Sequence, residues 1–294
     1  MDYYETTCPK YIRKTTGFTY GDWLSLGTPT DIDVVSTIYF ARAANIAAKF
    51  CHVIGDFEEE HYSTLFLNIR NAFCQQFIDD DEKIVSDTQS AYVIAYKSGI
   101  IDKAMAEKNM RRKWLEDDQK LTCGFLGVRF LLPALCDLGM TDVAYHLITN
   151  TNYPGWGYSV VNGATTIWEH WDSYTLENGI RTGMNSFNHY SFGSCTEWMY
   201  EYCLGIRSDF DSPGFRSVIF SPHFDFSGKI SWAKGYYDTA YGRISAEWKK
   251  DGKQIEYLVS APAKIKKRFL FDEMHILEQT EENGNCRFVL IQNN

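Results

Sequence analysis

Apolar residues between positions 28 and 204 recur every three or four residues, the spacing that places them on one face of an α-helix. The first such run ends at Gly55. It opens with Thr28 to Asp31, which provide a hydroxyl for the cap, a proline in the first turn and an acid near the positive end of the helix. The same spacing, with several glycine stops, predicts six further helices over residues 57–77, 87–98, 102–117, 125–138, 141–150 and 186–204.

The pattern changes after Ser208–Pro213. Short runs with a period of two residues follow, separated by turn signals such as Asp251-Gly252 and Asn283-Gly284. These runs predict strands over residues 215–221, 230–234, 243–249, 256–260, 267–271 and 288–291. We therefore expect a mainly α-helical domain over residues 1–207 and a small all-β sandwich domain over residues 210–294, joined near Ser208–Pro213.

Residues 151–185 interrupt the helical rhythm with a segment rich in Gly, Thr, Asn and Trp. Loops of this length inside compact domains are usually functional. Aromatic residues are also concentrated here, since residues 153–202 hold 12 of the 46 in the chain. We expect the chemistry of the protein in this region.

Glu169 is the leading candidate within that segment, because it lies between Trp168 and Trp171 and is followed by His170. Indole rings stack on the C–H faces of a pyranose and partly exclude water from a neighbouring carboxylate. A carboxylate in such a place can move protons for a bound sugar. The alternative is a capping or ion-paired acid, with His170 or His189 as its partner.

Other candidates lie in separate segments. Asp22 and Trp23 precede the first long helix, at a loop end where a pocket could form, and Trp156 lies between two glycines that leave its ring free to project. His189 enters a predicted helix beside the aromatic loop and could recognise a hydroxyl group. The alternatives are a lid on the core for Trp23, a tight turn over the core for Trp156 and a core position for His189. Asp172 is expected to be a loop or capping residue.

Charge and cysteine content exclude several classes of protein. The net charge of −9 arises from residues 1–208, with 17 Lys and Arg against 26 Asp and Glu, which argues against nucleic-acid or anionic-membrane partners. The eight cysteines form no C-x-x-C pair and are expected to be reduced, buried thiols. No G-x-S-x-G, P-loop, G-x-G-x-x-G or H-E-x-x-H motif is present. No cofactor or metal is predicted, since adjacent acid and histidine side chains such as Glu169 and His170 diverge.

The N-terminus has no apolar signal core, and no run approaches the length of about 18 apolar residues that a membrane helix needs. The sequence leaves the localisation unknown, with a cytoplasmic location as the default expectation.

Six segments, taken in order, resemble motifs of the bacterial α-L-rhamnosidases of glycoside hydrolase family 78. They are Gly21–Leu24, Thr88–Tyr92, Thr122–Gly127, Tyr153–Tyr158, Gly163–Glu169 and Met184–Gly193. The tail from Pro213 to Ser245 also resembles this family, so the match covers nearly the whole chain from about residue 17.

The resemblance implies an (α/α)6 barrel followed by a C-terminal β-sandwich, and inverting hydrolysis of terminal α-L-rhamnose. It places the general base on Glu169. It also places rhamnose contacts on Trp23 and His189, and we add Asp22, Trp156 and Trp168 as candidates for substrate binding. The implied partner is a rhamnose-containing oligosaccharide or glycoside.

One family feature is absent. The family carries its general acid in a Cys-Pro-x-Arg-Asp-Glu-Arg-like motif, whereas Cys8-Pro9 is followed here by Lys-Tyr-Ile-Arg. Seven predicted helices also cannot close a barrel of twelve, so apolar faces of the half-barrel should be uncovered and available for self-association. We therefore expect the C-terminal part of a larger enzyme, which lacks the acid on its own.

Two other functions are compatible with these features. The first is a truncated, non-catalytic sugar-binding module that keeps the aromatic pocket. The second is another (α/α)-barrel glycosidase or lyase, which would keep the fold and change the sugar. If the acid does lie within the chain, Asp22 and Asp172 are the first candidates.

Overall fold

A computed structural model describes residues 1–15 and 17–293, and these divide into two compact units. The helical unit comprises Met1–Met140 and Leu147–Gly193, and the sheet unit comprises Thr141–His146 and Ser194–Asn294.

The described helices confirm most of the helical pattern. They are α1 (Asp2–Thr7), α2 (Ile32–Ile54), α3 (Glu59–Phe77), α4 (Gln89–Lys97), α5 (Lys103–Glu116), α6 (Phe125–Asp137), α7 (Thr141–Thr149), α8 (Trp156–Val161) and α9 (Cys195–Trp198). Helices α2 to α7 lie where the spacing of apolar residues predicts them. The short helices α1 and α8 were not predicted.

The predicted helix over residues 186–204 is wrong in its first part. Residues 186–190 are not helical, and the remainder consists of a 3₁₀ turn (Ser191–Ser194), α9 and a π-helical turn (Met199–Cys203). The backbone N–H of His189 donates to the carbonyl of Ile167 at 2.8 Å, so this segment bonds to a distant part of the chain instead of starting a helix.

Helix α2 shows how the local sequence sets its ends. Its cap is Asp31 rather than Thr28, and the Asp31 carboxylate accepts hydrogen bonds from the backbone N–H groups of Asp33 at 2.8 Å and Val34 at 3.2 Å. The helix ends at Gly55, which adopts φ +70°, a conformation that costs glycine little.

Large apolar side chains are exposed at the end of α2 and just after it, namely Phe50, Val53, Ile54 and Phe57. Contiguous apolar surface of this kind marks places that other protein covers. The sequence predicts an uncovered apolar surface, and self-association through it stays a prediction. None of the helices that the structure describes has the length and apolar character needed to cross a membrane.

The strands of the helical unit form one small hairpin, β1 (Tyr174–Thr175) with β2 (Gly179–Ile180). The sheet unit contains β3 (Ile206–Ser208), β4 (Ser217–Phe220), β5 (Trp232–Thr239), β6 (Gly242–Asp251), β7 (Gln254–Ser260), β8 (Lys266–Phe269), β9 (Met274–Glu282) and β10 (Asn285–Gln292). Each of the six predicted strands is present. Strands β3 and β9 were missed, and β9 lacks the alternation used for prediction because nearly all of its residues are exposed.

These strands form an antiparallel sheet in the order β5-β6-β7-β10-β9 and a smaller sheet in the order β3-β4-β8. Alternate residues of the larger sheet, including Trp248, Tyr257 and Phe288, are fully buried. Phe220 of the smaller sheet meets Tyr257 with ring centroids 6.5 Å apart, so the two sheets share one core as a sandwich does.

Candidate active site

Asp22 is buried and its carboxylate is fully occupied by protein donors. It accepts hydrogen bonds from Ser90 Oγ at 2.5 Å and from the backbone N–H groups of Gly124 at 2.8 Å, Leu126 at 2.8 Å and Gly127 at 2.9 Å. The first turn of a helix leaves such N–H groups without partners in the helix itself. Asp22 therefore caps α6 from a distant part of the chain.

Two glycines make this close approach possible. A Cβ atom on Gly124 would lie 2.3 Å from the carbonyl oxygen of Trp23, and one on Gly127 would lie 2.2 Å from Ser90 Oγ. Both distances are far below ordinary contact, so any larger residue would force the segments apart. Three of the motifs singled out in the sequence thus meet at one carboxylate.

Trp23 lies directly beside this cap and is half-buried. Its carbonyl accepts a hydrogen bond from the backbone N–H of Phe125 at 2.9 Å, which joins the loop to the first residue of α6. Its ring meets that of Tyr20 edge to face at 5.1 Å, and Tyr20 meets Phe18 at 5.0 Å. A short row of exposed aromatic rings therefore leads away from Trp23.

Phe125 connects Trp23 to His189. The Phe125 and His189 rings stack with centroids 4.9 Å apart and an angle of 23° between their planes. Sequence reasoning missed Phe125 as a site residue. The available signal was its place inside the motif Thr122–Gly127, as an aromatic residue at the start of a helix with glycine on its N-terminal side.

His189 is held by its backbone and by ring contacts with Phe125 and Tyr190. Its Nδ1 atom accepts a hydrogen bond from the backbone N–H of Ser191 at 3.3 Å, which places the proton of the neutral ring on Nε2. Tyr190 stacks against it at 5.2 Å. The Nε2–H group has no protein acceptor within residues 1–15 and 17–293, so it is available to donate to a ligand.

Glu169 lies on the segment that His189 holds. The backbone N–H of Glu169 donates to the carbonyl of Ser186 at 2.9 Å, and His189 donates to Ile167 at 2.8 Å. These two bonds join residues 167–169 to residues 186–189. The Glu169 side chain is partly exposed, and its carboxylate makes no hydrogen bond or ion pair in the described part of the chain.

The tryptophans around Glu169 lie in the core beneath the site. Trp168 is buried and meets Phe187 edge to face at 5.3 Å. Trp156 is also buried, its Nε1 atom donates to the carbonyl of Phe192 at 2.8 Å, and its ring meets that of Trp171 at 5.2 Å. Trp156 and Trp168 also line a pocket of about 220 Å³, and a role of these two rings in substrate binding stays a prediction.

His170 and Asp172 have protein environments of their own. Burial, and then the positive charge of Arg181, lowers the pKa of the His170 imidazole, so the ring is neutral at pH 7. Asp172 forms an ion pair with Arg181 at 2.5 Å, as expected of a loop residue. No cluster of three or more metal-ligating side chains occurs among the described residues. All eight cysteines carry free thiols, and seven are buried.

Two known protein families match consecutive parts of the chain, and they define the class of protein. Residues 1–203 match the family described as the bacterial alpha-L-rhamnosidase 6 hairpin glycosidase domain, and residues 205–282 match the bacterial alpha-L-rhamnosidase C-terminal domain. The architecture is thus a six-hairpin glycosidase domain followed by an all-β domain. The chain belongs to the bacterial α-L-rhamnosidase family, as the sequence motifs predict.

Individual relatives of the chain are named alpha-L-rhamnosidases. The chain is 39% identical over 235 residues to an alpha-L-rhamnosidase of Streptomyces avermitilis, and 33% identical over 269 residues to one of Alteromonas sp. strain LOR. These matches cover 79% and 86% of this chain but 22% and 29% of the relatives. The chain therefore spans less than a third of their length.

Solved structures give the same fold. The S. avermitilis alpha-L-rhamnosidase complexed with L-rhamnose aligns with a TM-score of 0.86 and 33% identity, over 99% of this chain and 29% of that one. An alpha-L-rhamnosidase from Dictyoglumus thermophilum aligns with a TM-score of 0.83 and 24% identity, over 99% of this chain and 36% of that one. The second likeness supports the fold alone.

Proposed function

We propose that the protein hydrolyses terminal α-L-rhamnosyl linkages with inversion, and that Glu169 is its general base. The observation that carries this proposal is the Glu169 carboxylate, which is partly exposed and unpaired within the described chain. The backbone of its segment is bonded to the segment that carries His189. A general base needs free oxygen lone pairs to take a proton from water.

The other two acids considered as catalytic groups, Asp22 and Asp172, already bind protein partners. Four protein donors surround the Asp22 carboxylate, and Arg181 pairs with Asp172. Neither can accept a proton from water without breaking these contacts. Glu169 is therefore the acid among the three whose environment suits a base.

The neighbouring groups suit a neutral sugar. The Nε2–H group of His189 donates a hydrogen bond to a hydroxyl, and the partly exposed ring of Trp23 offers an apolar surface to the C–H groups of a pyranose. The relative from S. avermitilis was solved with L-rhamnose, which supports a rhamnose-terminated glycoside or oligosaccharide as the substrate.

Inversion also requires a general acid, with its carboxyl group about 6.5–9.5 Å from that of the base. Since Asp22 and Asp172 are occupied, we propose that the acid comes from polypeptide outside residues 1–294. General acid catalysis contributes about 10²–10⁴-fold, so this chain alone should cleave natural rhamnosides very slowly. A nitrophenyl rhamnoside, whose leaving group needs little protonation, should be cleaved first.

The test is the release of nitrophenol from 4-nitrophenyl α-L-rhamnoside. We expect Glu169→Gln to abolish it, and Glu177→Gln, an exposed glutamate of the same loop, to leave it unchanged. An unchanged rate in Glu169→Gln would contradict the assignment of the base. Binding of rhamnose without any turnover would favour a non-catalytic sugar-binding module.

A further inference from the structure

The outward face of the five-stranded sheet carries a groove of about 430 Å³. Its lining includes residues from all five strands, so it crosses the sheet from β5 to β9. Four spacings between adjacent strands give it a length of about 19 Å. The groove lies wholly within the sheet unit, and the opposite face of the same strands forms the buried core.

The strand register places short polar side chains along one side of the groove. Ser245 lies opposite Ser260, and Ser260 lies opposite Asn285 on the next strand. On β9, the residue opposite Asn285 is the acid Glu282, whereas Thr280 lies opposite Arg287 on the other side of the groove. Within residues 17–293 the side chains of Ser245, Ser260, Asn285 and Thr280 make no hydrogen bond to protein, so their hydroxyl and amide groups are free to bind a ligand.

The second side carries longer side chains, and their charges are paired. Lys234 contacts Glu247 at 2.7 Å, and Arg287 contacts Glu256 at 2.6 Å and Glu278 at 3.1 Å. The half-exposed Leu258 lies between Glu247 and Arg287 in the register. The groove therefore combines a small apolar surface with many hydrogen-bonding groups, and Glu282 is its one charged side chain without an ion pair in the described part of the chain.

Two exposed aromatic rings lie on the same face at the β5 end. Trp232 and Tyr236 flank Lys234 at two-residue spacing, so all three side chains share one face. Tyr236 lies opposite Ser245, and the Arg243 guanidinium covers its ring at 3.7 Å from the centroid. Arg243 is itself fixed by Asp238 through bonds of 2.8 and 2.9 Å, which holds the Tyr236 ring in place beside the groove.

We infer that this groove binds a neutral oligosaccharide, at a site separate from Glu169. Free hydroxyl and amide groups, paired charges and flanking aromatic rings are the features that recognise sugar hydroxyls and C–H faces. The inference goes beyond the proposed hydrolysis and holds whether or not Glu169 is the base.

Other occupants fit the chemistry less well. Nucleic acid needs unpaired Lys and Arg side chains, whereas Lys234 and Arg287 are paired. A peptide that adds a strand needs a free sheet edge, and this groove crosses the interior of the sheet. The core of a protein interface is depleted in charge, but Lys234, Glu247 and Arg287 lie along the groove.

The test uses the full chain carrying Glu169→Gln, so that no sugar is consumed. Hexasaccharides of rhamnose, glucose or xylose are titrated while the NMR signals of the Leu258 methyl groups and the Asn285 side-chain amide are followed. Affinities are measured by calorimetry for Ser260→Trp, which fills the groove, and for Tyr236→Ala. The matched control is Tyr237→Ala, because Tyr237 is adjacent on the same strand, faces the other way and is similarly exposed, at 46% against 51% for Tyr236.

At least one hexasaccharide should shift both signals with a Kd of about 1 mM or tighter. Ser260→Trp and Tyr236→Ala should each weaken binding about tenfold or more, and Tyr237→Ala by less than about twofold. Absence of any shift, or binding that both groove variants leave unchanged, would overturn the inference. A dimer that Ser260→Trp dissociates would identify a second copy of the chain as the occupant and would also overturn it.

Discussion

The rings of Phe125 and His189 stack with their centroids 4.9 Å apart. The backbone of Phe125 is bonded to Trp23, and the backbone of His189 is bonded to the segment that ends in Glu169. This one ring contact therefore connects the loop that carries Trp23 to the loop that carries the proposed base.

Replacing Phe125 should weaken sugar binding more than it weakens the fold. Phe125→Leu keeps an apolar side chain but removes the stacking surface, worth about 0.5–1.5 kcal/mol, so the affinity for L-rhamnose should fall about threefold to tenfold. Titration calorimetry measures this. The control is Phe130→Leu on the same helix, which should lower the melting temperature with little effect on the affinity. A positioning role for Phe125 would be contradicted if Phe130→Leu weakened the affinity and Phe125→Leu did not.

Asp22→Asn should destabilise the protein strongly. The amide has one acceptor oxygen where the carboxylate has two, and its NH₂ group would face backbone N–H donors. Each buried donor left without a partner costs about 1–3 kcal/mol, so we expect a loss of about 3 kcal/mol or more in the free energy of unfolding, measured in urea.

The control for this prediction is Asp118→Asn. The Asp118 side chain is 86% exposed, and it should change stability by less than about 0.5 kcal/mol. Equal effects of the two substitutions would show that the Asp22 cap contributes little.

His170 should make stability depend on pH. Because burial lowers the pKa of its imidazole, the unfolded chain binds more protons than the folded chain below about pH 6.5. The free energy of unfolding should therefore fall as the pH is lowered from about 6.5 toward the folded pKa. His170→Phe should reduce this slope, which is measured by urea titrations at a series of pH values. The reference is pH 8, where the His170 imidazole is neutral in both the folded and the unfolded chain. A slope that is identical in the variant would contradict the prediction.

The boundary of the sheet domain can be tested by truncation. The sequence places it near residue 210, and this stays a prediction. In the structure, Trp248 Nε1 donates to the carbonyl of Cys203 at 2.8 Å and the Tyr257 hydroxyl donates to that of Leu204 at 2.8 Å. A fragment of residues 210–294 leaves both buried donors without these acceptors, so it should be about 2–6 kcal/mol less stable than residues 194–294 in urea. Equal midpoints would favour the boundary at residue 210.

The sequence was sufficient for the elements with strong periodicity. Helices α2 to α7 and six strands follow from spacing and turn residues, because one face of each is buried. It was insufficient where tertiary contacts override local preference. Residues 186–190 bond to residues 167–169 rather than to their own neighbours, and the exposed strand β9 has no apolar face to reveal it.

The site shows the same division. Glu169 could be identified because two tryptophans, Trp168 and Trp171, lie on either side of it in the sequence. The role of Asp22 as a cap, and of Phe125 as the surface against His189, depends on contacts between residues more than 60 positions apart. No local pattern can report such contacts, although the resemblance to a family did indicate which segments matter.

The Asp22 cap also affects the order in which the chain folds. Its partners Gly124, Leu126 and Gly127 lie 102 to 105 positions further along the chain. During synthesis, Asp22 is made about a hundred residues before the helix that it caps, so this contact can form only after the first turn of α6 has been made. We therefore expect the docking of the first loop and the consolidation of α6 to occur as one cooperative event. The amide protons of Leu126 and Gly127 should exchange with solvent only when the Trp23 loop comes away, as members of a single unfolding unit.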